Sequence, residues 1–275
     1  MAKKACENKE ELVQRRTKFD SFLTKNLNLT KQINHYSQLQ DLDKKFDVYI
    51  CGSDQIWSPM LLSPSYYFDF VSSTCKKVSY ACSFGVSSIP YKKASRIASY
   101  LKEFSHISVR ESKGKEIVKN LIGIDVPVVA DPTFLLNKND WDEITSARIV
   151  NVKYMLCYFL SYSEEQWNKV IETAKEKGLD LIIISTTKET YKMPGRILTN
   201  VGPEDWISLI KYADFIATDS FYSAVFSIMY KKPFMIFKKF TDNSENSQNS
   251  RVYTLVETYG LENCLVNDID SYKTP

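Results

Sequence analysis

Apolar and polar residues are distributed along this chain with two alternating periods. Segments of strand length at 46–51, 77–82, 106–110 and 126–130 are separated by longer stretches over 91–104 and 113–121 whose apolar residues recur every three or four positions. Strands alternating with helices at these lengths predict βαβ units and a mostly parallel sheet. Residues 136–151 are polar and interrupt the run. The pattern then resumes, with strands at 154–160, 181–185, 214–218 and 233–237 and helices at 163–177, 206–212 and 223–230. A last helix, 252–259, ends on Gly260 in the position of a left-handed cap. Residues 242–250 read as a polar loop. Residues 1–45 are polar, with Leu12, Phe19, Phe22, Leu23, Leu27 and Leu29 at loosely helical spacing. The chain therefore reads as α/β, with a helical arm over 1–45, one parallel-sheet domain over 46–147 and a second over 148–275.

A length of 275 residues is enough for one large or two modest cores. Hydrophobic residues at 44% and charged residues at 25% exclude wholesale disorder. The net charge of +3 is small, and lysine and arginine are mixed with acids, so nucleic acid is not an expected partner. No apolar run approaches the roughly 20 residues that span a bilayer. Met1 to Cys6 lacks the apolar stretch of a secretory signal, which points to a cytoplasmic protein. The six cysteines are widely spaced without a Cys-x-x-Cys pair, and Cys51 and Cys157 lie inside predicted strands. They read as reduced, buried thiols. With His35 and His106 the only histidines, a His-rich metal centre is not expected, and no cofactor motif is present. The 17 Tyr and 15 Phe exceed ordinary use; most read as core, with some left for a sugar-contacting or ligand-stacking surface.

Ligands of open parallel sheets bind beyond the carboxyl ends of the strands. Those ends here carry Gly52-Ser53-Asp54-Gln55, Ser83-Phe84-Gly85, Arg110-Glu111, Asp131-Pro132-Thr133 and Asp219-Ser220-Phe221-Tyr222. Each also has a plain structural use, because Ser, Asp and Thr cap helices and begin turns. Their recurrence at every strand end points to one shared cleft. The unit from Asp214 to Phe237 is the best candidate for holding an anion: the short helix that follows Asp219 presents its positive end there, with Ser220, Ser223 and Tyr222 as added donors. Either serine also serves as an N-cap. Arg110 at a strand end suits bidentate capture of a carboxylate or phosphate, or a salt bridge to Glu111 or another local acid. Arg251, between the polar loop and the last helix, reaches the cleft or solvent. Trp57 reads as packing beneath its loop.

Together these segments resemble the polysaccharide pyruvyl transferase family. The matching strings run from Phe46 to Trp57, Tyr66 to Val71, Lys77 to Gly85, Ile107 to Ser112, Val128 to Thr133, Asp219 to Ser223 and Asn249 to Arg251. The resemblance implies two Rossmann-like lobes of the two-lobed glycosyltransferase type. It implies a bacterial, cytoplasmic enzyme that moves a pyruvyl unit from phosphoenolpyruvate to a polysaccharide or lipid-linked sugar acceptor as a ketal, with room for peripheral membrane contact and without metal or cofactor. On this carry-over Tyr222 and Asp54 are the catalytic candidates. Ser53, Gln55, Ser83, Arg110, Asp131, Asp219, Ser220, Ser223 and Arg251 bind substrate. Family members commonly have Asp-Ser-Phe-His-Gly, whereas this chain has Tyr222-Ser223 at the last two positions. Tyrosine, with a pKa near 10, donates a hydrogen bond well and shuttles protons poorly near neutrality. The family's opening strand and Asn-x-Gly turn find no match in residues 1–45, so the first lobe is expected to be incomplete at its N-terminus. A catalytically degenerate member that binds a glycan or partner, and a nucleotide-sugar glycosyltransferase, are the alternative expectations.

Overall fold

The computed structural model describes residues 9–72, 74–240 and 248–266. The chain divides into two compact units that interleave in sequence. One draws on Met1–Leu29, Leu136–Lys238 and Leu261–Pro275; the other on Thr30–Leu135 and Lys239–Gly260. The expected arm is thus divided: helix α1 (Lys9–Asn26) belongs to the first unit, and the 3-10 turn Tyr36–Leu42 to the second.

The first unit is built on six parallel strands: β3 (Tyr154–Tyr158), β4 (Asp180–Ile184), β5 (Arg196–Leu198), β6 (Phe215–Thr218), β7 (Phe234–Phe237) and β8 (Leu265–Val266). Their spatial order is β5-β4-β3-β6-β7-β8. The chain therefore winds outward from β3 to β5, returns to lay β6 on the other side of β3, and continues outward again. That is the doubly wound order, with its switch point between β3 and β6. Every residue of β6 and β7 is buried, as expected for strands covered on both faces. Helix α5 (Glu164–Lys177) is specified locally: the Ser163 hydroxyl accepts the Gln166 N–H, acids fill the first turn, lysines the last, and Gly178 ends it at φ 62°. Trp167, Val170 and Ala174 turn into the core with Met155, Phe159 and Phe215. Helix α6 (Pro203–Tyr212) opens with proline in its first turn, and α7 (Phe221–Met229) follows β6 after two residues.

In the second unit β1 (Val48–Cys51) pairs in parallel with β2 (Lys76–Ser79). The segments expected as strands at 106–110 and 126–130 are instead single parallel bridges, His106 to Val78, Val109 to Cys82 and Val128 to Val109. The residues explain this. Ala81 has φ 54°, and the Ser79 and Ser108 hydroxyls bond the backbone between the two segments, Ser79 Oγ to the Ser108 carbonyl and Ser108 Oγ to the Ser79 carbonyl. Pro127 lacks an N–H and contributes only its carbonyl, to Val109 N–H. Trp57, with no exposed surface, stacks on Tyr67 at 5.5 Å and packs with Phe84 and Phe104, the packing role expected of it. Helices α2 (Tyr91–Leu101) and α3 (Ser112–Ile122) enclose this core, and α8 (Ser250–Tyr259) packs on α3. Helix α4 (Lys138–Glu143) is a short turn of the first unit, capped by Asn137. Among the described residues no helix is long and apolar enough to cross a membrane.

Candidate functional site

The second unit gathers five of the predicted residues into one polar network. Gly52 lies at φ +141°, and a Cβ there would stand 1.8 Å from the Tyr80 carbonyl oxygen, so the close passage of the two segments requires glycine. The turn it makes carries Ser53 Oγ to 2.7 Å from Asp131 Oδ2. Arg110 donates from Nη1 to the same Asp131 oxygen at 2.7 Å and to Ser53 Oγ at 3.1 Å. The Asp131 carboxylate is steadied from its other oxygen by the Thr133 N–H and hydroxyl, at 3.0 and 2.9 Å. The Arg110 and Asp131 side chains are 2% and 1% exposed, so this is a buried ion pair whose partner is Asp131 rather than Glu111. Arg110 Nη2 also lies 3.5 Å from Asp54 Oδ1, and Arg251 Nη1 approaches that oxygen at 3.7 Å from the first turn of α8. Asp54 is 58% exposed. Asp54 thus stands beside both guanidinium groups, and an anion arriving at Arg251 competes with it.

Glu111 forms a second network. It is wholly buried, and its Oε1 accepts the Ser83 hydroxyl at 2.9 Å and the Phe84 and Gly85 N–H groups at 3.0 and 3.3 Å. Burial raises its pKa above the ordinary carboxylate range, against the lowering effect of Arg110 and these donors. Ser83, with no exposed surface, is therefore a holder of the 83–85 turn. Gln55 lies over that turn: a Cβ on Gly85 would meet its Nε2 at 2.3 Å.

In the first unit the Asp219 carboxylate bridges the carboxyl ends of β6 and β3. It accepts the Leu160 N–H at 2.6 Å and the Ser161 N–H at 2.9 Å, with the Ser161 hydroxyl at 2.5 Å. Ser220 is the N-cap of α7, its Oγ accepting the Ser223 N–H at 3.5 Å. The Ser223 hydroxyl is buried in the same first turn without a hydrogen-bond partner among the described residues. Tyr222 is partly exposed and lines a cavity of ≈ 420 Å³ with α1 and α6.

The structure thus joins Ser53, Asp54, Arg110, Asp131 and Arg251, sets Ser83 with Glu111, and groups Asp219, Ser220, Tyr222 and Ser223 at the start of α7. Sequence reasoning missed Ser161, the first serine of Leu160-Ser161-Tyr162-Ser163 just beyond β3. It also missed Arg15 and Phe19 of α1, which face the Tyr222 cavity. Only their helical spacing within a polar arm signalled them.

Among solved structures, UDP-N-acetylglucosamine 2-epimerase from Rickettsia bellii superposes with a TM-score of 0.52 at 9% identity, covering 91% of this chain and 78% of that one. UDP-GlcNAc 2-epimerase from Methanocaldococcus jannaschii gives 0.49 at 12% identity, covering 93% and 84%. Heptosyltransferase WaaC of E. coli gives 0.41 at 12%, covering 82% and 75%. The first of these supports the two-lobed Rossmann-like fold. No curated protein sequence matches the chain. The family model "Polysaccharide pyruvyl transferase" matches residues 3–238, a span that includes the arm, the Gly52–Gln55 turn, Arg110, Asp131 and the whole of α7. The chain belongs to the polysaccharide pyruvyl transferase family.

Proposed function

We propose that this protein transfers a pyruvyl unit from phosphoenolpyruvate to a sugar of a surface polysaccharide. In the balanced reaction two sugar hydroxyls add to C2 of the donor and close a ketal. The C2–O bond to phosphate breaks, one hydroxyl proton ends on the former methylene carbon, and the other leaves with phosphate. The observation that carries this reading is the position of α7. It starts at the carboxyl end of β6, beside the switch point, with the Ser223 hydroxyl, which has no hydrogen-bond partner among the described residues, in its first turn. A doubly charged phosphate gains there from the helix dipole and from hydroxyl donors.

Tyr222, in the same turn, is proposed as a hydrogen-bond donor to the departing phosphate through its phenol hydroxyl. In the second unit Arg110 pairs with Asp131, and Arg251 stands beside Asp54, which is 58% exposed. Asp54 is the proposed acid–base candidate of that unit. The test is calorimetry with phosphoenolpyruvate, followed by phosphate release in the presence of sugar acceptors. Binding that weakens in Ser223→Ala and Tyr222→Phe is expected; absence of binding at millimolar ligand overturns the proposal. The histidine-to-tyrosine difference favours one second reading, a member that binds donor or glycan without turnover. Phosphoenolpyruvate binding without phosphate release from any acceptor, and release gained in Tyr222→His, would identify it.

A further inference from the structure

The ≈ 420 Å³ cavity of the first unit is bounded by Arg15 and Phe19 of α1, Tyr158 at the end of β3, Trp206 of α6, and Tyr222 and Phe226 of α7. Trp206 meets Tyr158 edge to face at 5.8 Å and Phe226 likewise at 5.1 Å, so the walls brace one another around the space. Protein cores fill voids of this size with side chains. Apolar aromatic walls with a few polar groups are the composition of a ligand pocket, and the volume is within the usual range of about 300–1,000 Å³.

The polar groups define the ligand. Trp206 Nε1 is buried without a hydrogen-bond partner among the described residues. Arg15 makes no ion pair among the described residues, its guanidinium resting 5.9 Å from the Phe19 ring centroid. Both are donors, and one carries positive charge. A purely apolar occupant, such as a prenyl chain, would leave the Arg15 guanidinium against hydrocarbon, which is unfavourable. A ring with one apolar face, a hydroxylated edge and a negative substituent satisfies walls and donors together.

We propose that this cavity seats the acceptor as a pyranose bearing a negative charge, with the ring against the Trp206 and Tyr158 wall and the charge on Arg15. The identification of the occupant as the acceptor rests on the proposed function; the choice of a charged pyranose rests on the cavity. A carboxylate of a uronic acid and a phosphate ester of the same sugar offer the same chemistry, and the experiment separates them.

Two of the chain's four tryptophans, Trp141 and Trp206, line the cavity, so intrinsic fluorescence reports its occupation. The protein is titrated with glucuronate and galacturonate, with the 1-phosphates of glucose and galactose, and with the neutral sugars. At least one anion is expected to saturate about tenfold more tightly than its neutral parent, and Arg15→Gln to abolish that difference, the loss of one charge-assisted contact. Saturation by uronates alone or by phosphates alone identifies the source of the charge, and either supports the proposal. Phe19→Ala, on the partly open wall, is expected to weaken all of these sugars together. No saturation by any sugar, equal binding of neutral and charged sugars, or a preference that survives Arg15→Gln overturns it. The titration contains no phosphoenolpyruvate and reads no chemistry. Its failure therefore leaves pyruvyl transfer standing, and calorimetry with phosphoenolpyruvate decides that reading independently.

Discussion

Asp219 holds Ser161: its carboxylate takes both the N–H and the hydroxyl of that residue, and the N–H of Leu160 as well. At the opposite end of the same two strands, Asp214 Oδ2 accepts the Tyr154 N–H at 3.0 Å. Two aspartates thus clasp β3 to β6 across the switch point, one at each end, and α7 starts from the fixed end. Removing the Asp219 carboxylate leaves two backbone donors at that end without an acceptor, at about 1–3 kcal/mol each when buried. Asp219→Ala is therefore expected to lose about 1–3 kcal/mol in denaturant unfolding, since Leu160 is 41% exposed and its N–H can turn to water. Asp219→Asn, which keeps one oxygen, should lose less. An Asp219→Ala midpoint equal to wild type would show that the clasp is not a fixed part of the fold.

The Arg110–Asp131 pair invites a double-mutant cycle. Arg110→Met removes the cation from the buried Asp131 carboxylate and Asp131→Leu removes the nearest anion from the buried guanidinium, each expected to cost about 3–5 kcal/mol. The double variant replaces both charges with apolar groups and is expected to be more stable than either single one. Arg110→Lys should not rescue, because one ammonium cannot meet Asp131, Ser53 and Asp54 as the guanidinium fork does. Additive losses in the cycle would mean that the two side chains are not coupled.

Much of this architecture was legible from periodicity. The runs at 154–160, 181–185, 214–218 and 233–237 became β3, β4, β6 and β7, because strands buried on both faces are apolar throughout. The helix expected at 163–177 became α5, with Ser163 and Gly178 capping its ends. Three kinds of feature were not legible. β5 and β8 are three and two residues long, too short for a period to register. The bridges at His106 and Val109 reflect a left-handed Ala81 and serine hydroxyls bonding to the backbone, neither of which alters the apolar pattern. The placement of α1 and α8 in units far from their sequence neighbours depends on tertiary contacts. In the candidate site, the types of residue were readable and their partners were not. Nothing in the string Arg110-Glu111 says that the arginine turns to Asp131 while the glutamate takes the 83–85 turn.

Glu111 gives a pH dependence whose sign follows from burial. Its pKa is raised in the folded protein relative to the unfolded chain, so the native state holds the proton more tightly. The group's contribution to stability is fully present below the ordinary glutamate pKa and is lost as pH rises through the elevated folded value. Glu111→Gln keeps an oxygen for the Ser83, Phe84 and Gly85 donors and removes the ionisation. Unfolding midpoints measured from pH 4 to pH 8 are expected to fall more steeply for wild type than for Glu111→Gln. Parallel curves would show that Glu111 does not titrate differently in the two states.

Helix α1 is attached by charge rather than by burial. None of its residues is buried. Lys18 pairs with Asp205 at 2.6 Å and donates to the Asn200 carbonyl at 2.9 Å, Lys25 approaches Glu204 at 3.5 Å, and Glu11 accepts the Thr199 hydroxyl. Exposed pairs of this kind contribute ~0.2–1 kcal/mol each and weaken as salt shortens the Debye length to about 3 Å at 1 M. The amides of α1 are therefore expected to exchange with deuterium far sooner than those of β3 and β6, and faster still in 1 M salt. Lys18→Met should raise the α1 rate severalfold, leave the β6 rate unchanged, and admit solvent quenchers to Trp206, which shares the cavity wall with α1. Exchange in α1 as slow as in β6 and insensitive to salt would show instead that Arg15, Phe19 and Phe22 anchor the helix through the cavity itself.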